Sequence, residues 1–102
     1  MIFVQGTIRL GSPDIQDIAP AIKMMTTKSS EESGCIHYSF AQDVTDPRLL
    51  HICERWKSEE DLNAHFQTEH MAKFNALVAT IEIAQIDVRM YAGDEVKVMM
   101  QS

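Results

Sequence analysis

Hydrophobic and polar positions change their period several times along this chain. From Met1 to Leu10, Ile2, Val4, Ile8 and Leu10 alternate with Phe3, Gln5, Thr7 and Arg9. That is the period of two of a strand with one buried face. After Gly11-Ser12-Pro13-Asp14 the spacing lengthens: Ile15, Ile18, Ile22 and Met25 mark one face of a helix running to about Glu32. Ser12 is the candidate cap and Pro13 suits the first helical position. Pro20 conflicts with an unbroken helix, because an interior proline removes a hydrogen bond and crowds the preceding turn. Either the helix kinks there or Asp17 recaps it with Pro20 in its first turn; a kink or a short broken first turn is expected. Gly34 then suits a turn, and Cys35–Gln42 and Leu49–Trp56 read as strands joined by a hairpin loop, Asp43 to Arg48, containing Asp46-Pro47.

The next stretch is the most informative. Ser58 fits a helix N-cap, and Glu59, Glu60 and Asp61 place negative charge at the positive end of the helix dipole. Leu62, His65 and Phe66 share one stripe of a short helix, about Glu59 to Phe66. Thr68 caps a second, about Glu69 to Val78, with Met71, Phe74 and Val78 as its apolar stripe. Thr80 to Tyr91 reads as another strand, Gly93-Asp94 as a turn, and Glu95 to Met100 as a final short strand reaching a partner subunit. The order is βαββαβ, which predicts a single α+β domain over residues 1–102, ferredoxin-like, with an antiparallel sheet. Helices on one sheet face leave the other free to bury against a second copy.

Strand chemistry sorts the faces. Ile36, Tyr38 and Phe40 on one strand match Leu50, Ile52, Glu54 and Trp56 on the next, and these apolar sets are placed under the helices. A slip of one residue would reverse the placement for either strand. His37 and His51 fall on the opposite face, where a role in a dimer interface is expected. With this placement Tyr38, Glu54, Trp56 and His65 converge between sheet and helices, with Phe40 and Phe66 adding apolar wall. An aromatic lining, a carboxylate and an imidazole, a group that ordinarily titrates near neutral pH, suit a cleft for a planar aromatic ligand.

Composition narrows the choice. At 102 residues with 45% hydrophobic content the chain forms one small folded domain. A net charge of −6 with scattered Lys and Arg argues against a nucleic-acid partner. No run of 18 apolar residues and no basic-then-apolar start point to a membrane or to secretion, so a cytoplasmic location is expected. Cys35 and Cys53 are out of step in the hairpin register and are expected as free thiols. No His-x-x-x-His or Cys-x-x-Cys pair occurs, His65 and His70 fall on separate helices, and no metal or cofactor site is expected.

The pattern Glu54-x-Trp56…Leu62…His65…His70…Phe74, with Gly34-Cys35-x-x-Tyr38 and Pro47 upstream, resembles the antibiotic biosynthesis monooxygenase family of small dimeric α+β barrels. The likeness covers about residues 1 to 92. It implies a homodimer, and it implies cofactor-independent oxidation, by O₂, of an aromatic hydroxyl compound (a phenol or hydroquinone) to a quinone. His65 would be the base, Glu54 would orient a histidine or the substrate hydroxyl, and Trp56, Tyr38, Phe40 and Phe66 would hold the ring.

Each residue also has a plainer reading. His65 can be a helix histidine satisfied locally, Trp56 a plug in a helix–sheet corner, and Glu54 a structural hydrogen-bond partner. His70 reads as packing or surface beside Phe74. Because fold does not fix function, a non-catalytic ligand-binding or stress-associated dimer stands as the alternative. Haem binding ranks lower, since Thr7, His65 and Asn75 stand where haem-handling relatives carry Asn, Trp and the ligating His. An isomerase of small phosphorylated sugars also ranks lower, since no basic cluster is evident to hold a phosphate.

Overall fold

A computed structural model describes residues 1–102. The elements run β1 (Ile2–Ser12), α1 (Ile15–Ser30), β2 (Cys35–Gln42), β3 (Leu49–Trp56), α2 (Glu59–Phe66), α3 (Glu69–Val78) and β4 (Glu82–Ala92). The four strands form one antiparallel sheet in the order β2-β3-β1-β4. This is the expected ferredoxin-like α+β arrangement, with the first and third strands central.

Pairing of Val4 with Glu54, Ile8 with Leu50 and Tyr38 with Glu54 puts the even-numbered residues of all three strands on one face, under the helices. Two adjoining clusters fill that layer. One holds Ile2, Val4, Met25, Tyr38, Trp56, Leu62 and Phe74; the other holds Ile8, Leu10, Ile15, Ile18, Leu50 and Ile52. Burial of this apolar area is the main force holding sheet and helices together. Trp56, Met25 and Leu62 are its most deeply buried hydrophobic members.

Gly6 lets β1 and β4 approach closely, because a Cβ there would run into the Asp87 carbonyl and the Val88 backbone. On β4, Ile86, Val88 and Met90 pair with Ile8, Gly6 and Val4 and so share the helix side of the sheet, yet all three remain more than 40% exposed. No helix is long and apolar enough to cross a membrane.

Four local expectations need correction. Strand β1 continues to Ser12, and the cap of α1 is Asp14, whose N–H donates to the Asp17 carboxylate at 3.2 Å. Pro20 lies inside α1, which runs as one element from Ile15 to Ser30. Of the kink or short broken first turn expected there, the broken turn does not occur, because the missing N–H costs one hydrogen bond while Ile18 and Met25 on either side stay anchored in the core. In β2 the register shifts between Cys35 and His37, so Ile36 is 43% exposed and Cys35 packs against the core in its place. The bulge inserts one residue and reverses the alternation locally. Finally, residues 93–102 form no strand.

Candidate active site

The site is built where β3 ends and two short helices begin. Ser58 Oγ accepts the Asp61 N–H at 3.2 Å and starts α2 directly after Trp56. Leu62 and His65, three apart, then face inward and are almost fully buried. Thr68 makes the corner. Its hydroxyl donates to the His65 carbonyl at 2.8 Å and accepts the Met71 N–H at 3.2 Å, tying the end of α2 to the start of α3. That break in the helix lets two histidines five residues apart turn toward a common point.

The common point is Glu32, in the turn after α1. The turn is pinned by Glu32 N–H to the Ser29 carbonyl at 3.1 Å and by Cys35 N–H to the Glu32 carbonyl at 3.0 Å. One oxygen of its side chain, Oε2, accepts from His65 Nδ1 at 2.6 Å and from His70 Nε2 at 2.8 Å. Neither contact was expected, and His70, read from the sequence as packing or surface, is a member of the cluster. A faint signal existed: Glu31 and Glu32 put negative charge at the negative end of a helix, where the dipole disfavours it.

Glu54 does not orient the histidine. Its Oε1 accepts the Trp56 indole N–H at 2.9 Å, and burial raises its pKa above the ordinary glutamate value against the lowering effects of that hydrogen bond and of His65. Trp56 is completely buried and backs the imidazole, with ring centroids 4.8 Å apart; it does not border the cavity described next. The plug reading describes its position. Tyr38 stands 5.5 Å from the His65 ring, and burial, then the Glu54 charge, raise its pKa well above that of a free tyrosine.

Beneath the helices lies a cavity of about 260 Å³ in which thirteen of sixteen lining residues are hydrophobic. Tyr38, Phe40, Phe66 and Phe74 supply aromatic surface, Ile86 and Val88 line it on the β4 side, and Glu54, His65 and Asn75 are its polar groups. His65 Nδ1 is committed to Glu32, and its Nε2 has no hydrogen bond within the protein. The structure therefore brings together Tyr38, Phe40, Glu54, His65 and Phe66 on one lining, with Trp56 one layer behind. Thr7 lies on the opposite sheet face, in an open groove with His51 and Arg89, so the three positions compared with haem-handling relatives do not meet.

The model of the antibiotic biosynthesis monooxygenase family matches residues 1–77. The chain belongs to that family. A protein of Synechocystis sp., sll1783, of uncharacterized function, is 30% identical over 73 residues, or 72% of this chain; the chain spans about half the length of that relative. Among solved structures, a Deinococcus radiodurans protein assigned as an antibiotic biosynthesis monooxygenase superposes with a TM-score of 0.86 at 16% identity, covering 99% of this chain and 100% of that one. A Nitrosomonas europaea protein assigned in the same way gives 0.82 at 22% identity, over 91% of this chain and 98% of the other. At such identities the structural likenesses establish the fold.

Proposed function

We propose that this family member is a cofactor-independent monooxygenase that oxidises an aromatic hydroxyl compound to a quinone with O₂. The observation that carries the reading is the His65 imidazole, fixed through Nδ1 by Glu32 and bordering a chamber whose lining is otherwise almost entirely apolar. An imidazole oriented at one nitrogen by a carboxylate is well placed to accept a proton at the other. In this scheme Nε2 takes the phenolic proton, and the electron-rich anion passes one electron to O₂. The radical pair, held away from water, recombines at the ring carbon. Loss of water from the hydroperoxide leaves the quinone, so that phenol and O₂ give quinone and H₂O. The substrate supplies the electrons.

The cavity volume lies just below the usual range of ligand pockets, about 300–1,000 Å³, which favours one or two fused rings. Tyr38, Phe40 and Phe66 would contact the ring, and Glu54, with its raised pKa, would meet the substrate hydroxyl. A homodimer is part of the proposal. Ile86, Val88 and Met90, which share the helix side of β4, are 41 to 59% exposed, an apolar row suited to cover by a second copy.

Oxygen uptake with a panel of one- and two-ring phenols and hydroquinones, corrected for autoxidation, tests the reading. Uptake by the wild type, lost by at least about 100-fold in a folded His65→Ala variant and kept in His51→Ala, is the expected result. A wild type that turns over none of the panel, or a His65→Ala variant that matches it, would leave the non-catalytic ligand-binding dimer ahead.

A further inference from the structure

Glu32, His65 and His70 do more than steady one imidazole. Three potential ligand atoms, Glu32 Oε2, His65 Nδ1 and His70 Nε2, lie within 4.8 Å of one another. They come from three separate elements, so the arrangement is built by the tertiary fold rather than by a local helical spacing. We propose that this cluster is a binding site for a divalent transition-metal ion of the zinc class, a property that goes beyond the oxidation proposed above and excludes it while the ion is bound, because an imidazole ligated through Nδ1 keeps its proton on Nε2.

The donor set decides the class of ion. Two imidazole nitrogens and one carboxylate oxygen suit Zn²⁺ and its Co²⁺ or Ni²⁺ surrogates, whereas Mg²⁺ and Ca²⁺ prefer oxygen-only shells. Geometry supports the assignment. Both nitrogens already aim at a single oxygen, at 2.6 and 2.8 Å. Bonds of about 2.0–2.1 Å at tetrahedral angles place ligand atoms roughly 3.3 Å apart, so each nitrogen–oxygen contact opens by roughly 0.5–0.7 Å, and the three atoms, now within 4.8 Å of one another, draw to that spacing when an ion replaces the two shared protons. Side-chain rotation can supply that movement. Three protein ligands leave one coordination position for water, as in open zinc sites.

Access and surroundings fit as well. His65 faces the apolar cavity, while His70 borders an outer groove of about 200 Å³ with Met24, Lys28, Glu69 and Lys73. An ion can therefore enter from the groove without crossing the cavity. Lys28 and Lys73 oppose a cation there, and Lys73 is offset by its 3.3 Å ion pair with Glu69. Preorganisation favours binding further: the His65 and Glu32 side chains are only 2% and 17% exposed, so little freedom remains to be lost.

The test uses the full chain after chelator treatment and dialysis, titrated with ZnCl₂ by calorimetry and with CoCl₂ by visible absorption. The expected result is one ion per chain, with cobalt d–d bands that zinc displaces. Affinity should fall at least about 100-fold in His70→Ala and in Glu32→Gln, since each removes a direct ligand. A His37→Ala/His51→Ala double variant, altered only on the opposite sheet face, should bind as the wild type does. His70 is partly exposed, so its variant keeps the test independent of any misfolding caused by changes at His65. Absence of stoichiometric binding would overturn the proposal, as would binding that survives His70→Ala but is lost in the His37/His51 double variant.

Discussion

Two histidine–carboxylate contacts of nearly equal length lie on opposite faces of the same sheet. His65 meets Glu32 at 2.6 Å beneath the helices, with side chains 2% and 17% exposed. His51 meets Asp43 at 2.8 Å on the open face, with side chains 50% and 24% exposed. Distance alone would rank them together. Surroundings separate them, because an exposed pair exchanges its partner for water at little cost while a buried one cannot. The same contrast holds for the two concavities. The open-face groove, about 390 Å³, is the larger, but it is shallow and shares its lining with polar and charged groups such as Gln5, Asp87 and Arg89. The chamber under the helices is smaller, more enclosed and apolar, and it holds the imidazole that the fold has fixed. Where a molecule withdraws water from a few polar groups says more about its chemistry than where it leaves the most space.

The contrast can be broken first at the carboxylates. Glu32→Ala removes the acceptor of two imidazole N–H groups and should cost about 2–5 kcal/mol, the sum of two unsatisfied donors at about 1–3 kcal/mol each less some relaxation. Chemical denaturation measures it, and Asp43→Ala in parallel, which also removes the acceptor of the Thr45 N–H and hydroxyl in the hairpin loop, should cost less, because water replaces the carboxylate at these exposed groups. Equal losses in the two variants would erase the distinction. Next in size is Trp56→Phe, which takes the indole donor from the buried Glu54 oxygen and should cost about 1–3 kcal/mol in the same experiment.

Glu54 predicts a change of opposite sign. Its pKa is raised in the folded chain, chiefly by burial, so the folded state holds that proton more tightly than the unfolded one. Ionised Glu54 therefore opposes folding. This penalty is absent below the ordinary glutamate value and grows as pH rises through the raised one. Glu54→Gln keeps an acceptor for the Trp56 indole without the charge. Its melting temperature should equal that of the wild type near pH 4 and exceed it slightly at pH 7; a lower melting temperature at pH 7 would show that the charge itself is needed. The smallest effect belongs to the open face, where His51→Ala should leave melting temperature unchanged within error.

What the sequence made legible was what short-range chemistry determines. Ser58 and Thr68 announce their helices because each cap bonds a backbone three residues away. The alternation in β1 and β3 identifies the buried faces because most of each strand obeys it. Tyr38, Glu54 and His65 could be placed on one side for the same reason. The carboxylate that organises the site was not legible, since Glu32 reaches its partners across 33 and 38 residues and no local period encodes such a meeting. Ile36 misled because a one-residue bulge is invisible to a pattern of period two. Trp56 was placed on the right face but one layer too shallow, because a period assigns direction and not depth.

The central claim is that the chamber bordered by His65, rather than the larger open groove, receives the aromatic ligand. Amide chemical-shift mapping of the ¹⁵N-labelled chain, titrated under nitrogen with a two-ring hydroquinone, tests it directly. The largest shifts are expected at Tyr38, Phe40, Phe74 and Val88, with Thr7, His51 and Arg89 unmoved. Shifts concentrated on Thr7, Cys53 and Arg89, with the helix-covered face silent, would contradict it.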